Sequence, residues 1–140
     1  MAVIVRRLKP GSDLRQELDY LARENNCNAG VLLSLVGSLS QANLRFADCE
    51  TGTVIYGPLE IVSVTGTIST AGLHAHIAVA DRHGRTFGGH LLEGCHVFTT
   101  CEVVMLNISA EWKFERHIDE RTGEIELCES KVNLQRKDSN

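Results

Sequence analysis

The strictest constraint in this chain is the alternation that runs through Leu73-His74-Ala75-His76-Ile77-Ala78-Val79-Ala80. Side chains in a strand point to opposite faces with period two. Leu73, Ala75, Ile77 and Val79 therefore share one face, and His74, His76, Ala78 and Ala80 the other. Asp81-Arg82-His83-Gly84-Arg85 follows as a turn-like cluster whose late glycine suits a hairpin closing through a left-handed residue. Thr86-Phe87-Gly88-Gly89-His90-Leu91-Leu92 then reads as the returning strand.

A three-residue loop, Arg82-His83-Gly84, fixes the pairing. Val79 then faces Phe87, Ile77 faces Gly89 and Ala75 faces Leu91, which makes the apolar face. On the other face His76 lies opposite His90, with His74 one diagonal step away. Opposed Cβ atoms in an antiparallel pair are roughly 4.5–5.5 Å apart and diagonal ones about 7–8 Å. Three imidazoles therefore converge beside the small Ala78 and Gly88. A loop one residue longer or shorter would turn His90 to the wrong face.

The rest of the chain supplies the setting. Ala2–Leu8 reads as a strand stopped by Lys9-Pro10-Gly11. Gly11 or Ser12 is expected to cap a helix in which Leu14, Leu18 and Leu21 recur at helical spacing, with Asp13 at its positive end and its last turn near Glu24. Asn25–Gly30 breaks that helix. Val31–Val36 reads as a buried strand, Gly37–Ser40 as a turn or bulge, and Gln41–Ala47 as an alternating strand with Arg45 on its polar face. Asp48–Thr53 reads as a polar loop. Leu59–Ser69, entered through Tyr56-Gly57-Pro58, and His96–Ser109 are further strands. Phe114–Ile118 and Glu124–Cys128 flank an exposed turn, and Lys131–Asn140 is expected to be a polar, frayed tail. One helix with seven or eight strands implies an α+β fold: a single domain, mostly antiparallel sheet with one main helix packed on it.

With 140 residues the chain is long enough for one domain with its own core. No apolar run reaches the ~20 residues of a membrane helix, and Met1–Arg7 is not expected to be a signal peptide, since its basic pair follows the short apolar run. Five scattered cysteines without CxxC spacing argue against a disulfide framework and for a reducing, cytoplasmic setting. The net charge of −4 does not support direct binding to DNA or to a membrane surface.

The order of motifs carries a resemblance. Arg7-Leu8-Lys9-Pro10-Gly11, Gly37-Ser38-Leu39, Gly57–Thr67, Leu73-His74-Ala75-His76 and Gly88-Gly89-His90-Leu91-Leu92-Glu93-Gly94 together resemble the plants-and-prokaryotes-conserved domain in its stand-alone prokaryotic form. The resemblance implies a domain over residues 1–130, a homotrimer, and the family's DNA-binding description. In plants the domain sits beside an AT-hook, an Arg-Gly-Arg-Pro element, which this chain lacks. The plant branch also generally lacks the histidines at positions 74, 76 and 90. Only glycine, Glu60 and Ile61 match the plant interaction motif at Gly57–Val62.

The chemistry points to His74, His76 and His90 as ligands of a divalent metal, zinc foremost, because three neutral imidazoles leave an open coordination position. The plainer alternative is three polar side chains lining a wet cleft or a subunit seam. Glu60 and Glu93 are conceivable general bases, although the register puts Glu93 on the far face. Cys95 and Cys101 read as apolar fillers, His83 and His117 as exposed, and His96 as a neighbour of undefined direction. Gly88-Gly89 lies within a strand and makes room for a close approach. The two functional readings are a homotrimeric binding and assembly module, with DNA as a partner by family, and a metal-dependent enzyme acting on a small molecule.

Overall fold

The computed structural model describes residues 1–133. Eight strands and one helix follow the order β1 (Ala2–Leu8), α1 (Leu14–Glu24), β2 (Ala29–Arg45), β3 (Thr53–Ser69), β4 (Gly72–Ala80), β5 (Thr86–Leu91), β6 (His96–Asn107), β7 (Trp112–Ile118) and β8 (Ile125–Lys131). Six strands form one sheet in the order β1-β6-β2-β3-β4-β5, and every pairing is antiparallel. The α+β reading, mostly antiparallel sheet with one short helix, holds for the described residues. Most of the expected polar tail lies outside them. Lys131 closes β8, opposite Trp112.

β5 also pairs with the end of β2, so β2, β3, β4 and β5 close on one another. That closure brings residue 45 beside residue 90. β2 is one strand of 17 residues where two were expected. Bulges at Leu32/Ser34, Gly37/Leu39 and Leu39/Gln41 shift its register against β6, so the Gly37–Ser40 segment bends the strand without ending it. Gly37 permits the bend at close quarters, since an added Cβ would stand 2.1 Å from the Thr100 carbonyl oxygen. β3 likewise begins earlier than expected, at Thr53, because its first residues pair with Leu44–Gln41.

Leu14, Leu18, Leu21 and Ala22 of α1 bury against the inner sheet face, where Ile4, Leu32, Leu35, Ile77, Val79, Leu91, Val103 and Met105 meet them in one core. The helix cap is a correction to the sequence reading. Asp13, not Gly11 or Ser12, is the N-cap, and its Oδ1 accepts from the Gln16 amide at 3.1 Å. Its Oδ2 accepts from the Gly94 amide at 2.7 Å, which ties the helix start to the segment after β5. A second tie comes from Arg15, which donates to the carbonyls of Leu91 at 2.9 Å and Leu73 at 2.7 Å. Asp19 holds that guanidinium at 3.0 Å and accepts from the Leu73 amide at 3.0 Å. The helix thus grips one end of both strands of the histidine hairpin.

β7 and β8 form a separate two-stranded sheet. It reaches the turn after β3 through the Thr70 amide, which donates to the Phe114 carbonyl at 3.0 Å, and β3 itself through Arg116, which donates to Thr67 Oγ1 at 3.0 Å.

Candidate metal centre

The hairpin forms in the register that a three-residue loop dictates. His76 pairs with His90, Ile77 with Gly89, Ala78 with Gly88 and Val79 with Phe87. Asp81 and Arg85 close the loop through Asp81 N–H to the Arg85 carbonyl at 2.9 Å, and Gly84 takes the left-handed φ of 75°. The Asp81 carboxylate accepts from the amides of His83 and Arg85 and from the Arg85 side chain, fixing the turn. Leu73, Ala75, Ile77 and Val79 are all buried, so the apolar face does enter the core. The histidines are left on the outer face.

Ring centroids stand 5.1 Å apart for His74 and His76, 5.2 Å for His74 and His90, and 5.6 Å for His76 and His90. One ring nitrogen from each lies within 4.8 Å of the others. Two nitrogens at tetrahedral positions on one zinc ion are about 3.4 Å apart, so closing the set asks the exposed His74 and His76 rings to turn inward. His90 Nδ1 is buried and has no hydrogen-bond partner among the described residues. Such an atom costs free energy unless something satisfies it.

The surroundings of His74 and His90 favour the neutral ring. Burial pushes the His90 pKa down to about 4, helped by His74, Arg45, His76 and Arg15. Burial also lowers that of His74, and Arg116 and His76 add to the effect, opposed by Glu126. Neutral imidazole is the form that ligates a metal.

Other candidates fall away from the trio. Glu93 is exposed beyond the end of β5, and its Oε2 accepts from the Gln16 side chain at 3.2 Å. Glu60 is exposed on β3, opposite Ser38 and Ala80. Cys95 is buried and bonded to the Asn43 backbone, and Cys101 is buried in the core, both as fillers. His83 and His117 are exposed, and His96 sits opposite Gln41 and Asp13. Gly88 has ordinary contacts with Ala78 at 3.6 Å. Gly89 does admit a close approach, that of the Arg45 carbonyl oxygen, which an added Cβ would meet at 2.7 Å.

Sequence reasoning missed two neighbours of the trio. Arg45 and Arg116 line a cleft of about 370 Å³ together with His74, His90, Glu124 and Glu126. Arg45 showed only as a polar-face residue of a strand, with no sign of which strand it would meet.

Residues 1–109 match the model of the Plants and Prokaryotes Conserved (PCC) domain. This chain belongs to the Plants and Prokaryotes Conserved domain family. Among solved structures, a hypothetical protein from Salmonella enterica shares 34% identity and a TM-score of 0.89, over 93% of this PCC chain and 94% of that one. A metal-containing protein from Archaeoglobus fulgidus shares 28% identity and a TM-score of 0.76, over 91% and 94%. A protein from Ralstonia eutropha JMP134, described as a "putative DNA-binding protein", shares 25% identity and a TM-score of 0.77, over 89% of each. The bifunctional protein GlmU of Synechococcus sp. strain JA-3-3Ab is 48% identical over 126 residues, 90% of this chain. The match spans only about a fifth of that relative, 20% of its length, so the PCC segment there is one part of a larger protein.

Proposed function

We propose that this chain is a PCC-domain binding and assembly module that holds one divalent metal ion, zinc in the first instance, through His74, His76 and His90. The observation that carries this reading is the convergence of three imidazoles from β4 and β5, with the buried His90 Nδ1 lacking any partner among the described residues. Three neutral nitrogen ligands suit zinc and leave a position for water or a further ligand. When bound, the metal would supply a Lewis acid at the outer face of the sheet. The likeness to the metal-containing Archaeoglobus protein supports the reading.

Assembly as a homotrimer, which the family resemblance implies, is supported by the apolar side chains left on the outer sheet. Val3, Val5, Leu33 and Val36 are each more than half exposed. The DNA-binding description of relatives is carried over only as a weak partner of this module. The chain is acidic, with a net charge of −4. A second reading, a metal-dependent enzyme acting on a small molecule, is favoured by the open cleft beside His74 and His90.

Metal analysis tests the proposal. After zinc supplementation and dialysis, the wild type should retain one zinc per chain and His76→Ala almost none. His76 is exposed, so the variant should remain folded. A wild type that retains no divalent metal would overturn the reading.

A further inference from the structure

Arg45 and Arg116 have no role in metal ligation, yet the fold sets each beside one histidine. Arg45 is the cross-strand partner of His90 in the β2–β5 pair. Thr67 is the partner of His74 in the β3–β4 pair, and Thr67 Oγ1 accepts from Arg116 at 3.0 Å. Both guanidinium groups therefore border the cleft that His74 and His90 also line.

Their bonding is sparse. Both residues are half-buried, and among the described residues neither forms an ion pair with a carboxylate. Arg45 donates only a long 3.4 Å bond to the Cys49 carbonyl, and Arg116 only its bond to Thr67. Arg15 shows the contrast: it is paired with Asp19 and satisfies two carbonyls, as a structural arginine does. A guanidinium cannot shed its charge, and its fork of donors matches an oxyanion. Two of them partly withdrawn from water without counter-ions leave a site that an anion would complete. Glu124 and Glu126 also line the cleft, but both are exposed, so water screens them more than it screens the arginines.

Size selects among anions. A cleft of about 370 Å³ falls at the small end of the usual ~300–1,000 Å³ for small-molecule sites. A nucleic-acid backbone is met instead by an extended basic stripe, for which a chain of net charge −4 is poorly suited.

We propose that the cleft between His74, His90 and the β7–β8 hairpin binds the carboxylate or phosphate group of a small molecule, anchored by Arg45 and Arg116. In its full form this rests on the metal reading, because an ion held by the histidines would add positive charge beside the same ligand. The guanidinium pair is the anchor, and the ligand it suits is a small oxyanion-bearing molecule.

Calorimetric titration of the zinc-loaded full chain tests this, with inorganic phosphate and malonate as separate probes and a short single-stranded oligonucleotide as a third. At least one small probe should bind. Arg45→Ala and Arg116→Ala should each weaken it by about tenfold or more, as expected for loss of a charged hydrogen bond, while retaining zinc. Glu126→Gln should tighten it by roughly two- to threefold. Failure of both small probes to bind, or binding indifferent to both arginine variants, would overturn the proposal while leaving the metal reading intact. So would an arginine-dependent site that prefers the oligonucleotide. Should the wild type hold no zinc, the metal reading fails by itself, and phosphate is titrated into the metal-free protein. Arginine-dependent binding there would uphold the oxyanion cleft, and none would end it.

Discussion

His76 stands directly across from His90 in the β4–β5 pair, with ring centroids 5.6 Å apart. That relationship depends on the loop length between the strands and on nothing remote. Asp81 fixes the loop by accepting from two amides and one guanidinium. The helix grips the other end of the hairpin through Arg15 and Asp19. The site is therefore built on a strand pair held at both ends, as a preorganised ligand set requires.

The metal-free protein should lose stability as pH falls from about 6.5 towards about 4. His90 is held at about 4 in the folded chain and returns to 6.5 when unfolded. Between those values the unfolded state binds the extra proton, so the native contribution is complete above 6.5 and is lost as pH falls through the window. His74 is shifted in the same direction and adds to the effect. Thermal melts of metal-free wild type and His90→Gln across this range check it. The melting temperature of the variant should fall less steeply.

The two adjacent glycines should differ sharply in their tolerance of a methyl group. Gly89→Ala drives a Cβ to within 2.7 Å of the Arg45 carbonyl oxygen, a backbone atom with no freedom to yield. About 1–3 kcal/mol of destabilisation is expected. Gly88→Ala meets Ala78 at an ordinary 3.6 Å and should be close to neutral. Denaturant unfolding of both variants measures the difference.

Asp13 serves the helix and the segment after β5 at once. Asp13→Ala removes the cap of the Gln16 amide and orphans the Gly94 amide. The expected cost is about 1–2 kcal/mol, while Asp13→Asn should recover much of it. Chemical denaturation of the three proteins reads this out.

Thiol labelling should divide the cysteines by burial. Cys27, Cys95 and Cys101 are buried, and desolvation raises each to about 11, so little thiolate forms at pH 8. Cys49 and Cys128 are exposed. Alkylation of the native protein at pH 8, followed by peptide mapping, should find label at Cys49 and Cys128 well before the other three.

The hairpin was legible because its causes are local. Alternation from Leu73 to Ala80 fixes the faces, and the Asp81–Arg85 turn fixes the register, so the trio follows from some twenty consecutive residues. β2 was harder to read. Gly37–Ser40 reads as a turn or a bulge in sequence, and only the ladder to β6 decides for the bulge, which carries one strand through it. The cap falls one or two residues beyond the expected Gly11 or Ser12 because all three are competent caps, and the Gly94 amide, which favours Asp13, lies 81 residues away. Arg45 and Arg116 were invisible as site residues for the same reason. Their place depends on the closure of β5 onto β2 and the folding of β7 onto Thr67, pairings that no local pattern encodes.

Whether His74, His76 and His90 hold one metal ion together is read directly by X-ray absorption at the zinc K-edge on the zinc-loaded full chain. Three imidazole nitrogens are expected at about 2.0–2.1 Å, with a further light scatterer from water or ligand and no sulfur shell. His76→Ala should lose that spectrum. Sulfur scattering near 2.3 Å, or a wild-type spectrum without imidazole features, would contradict a site shared by the three histidines.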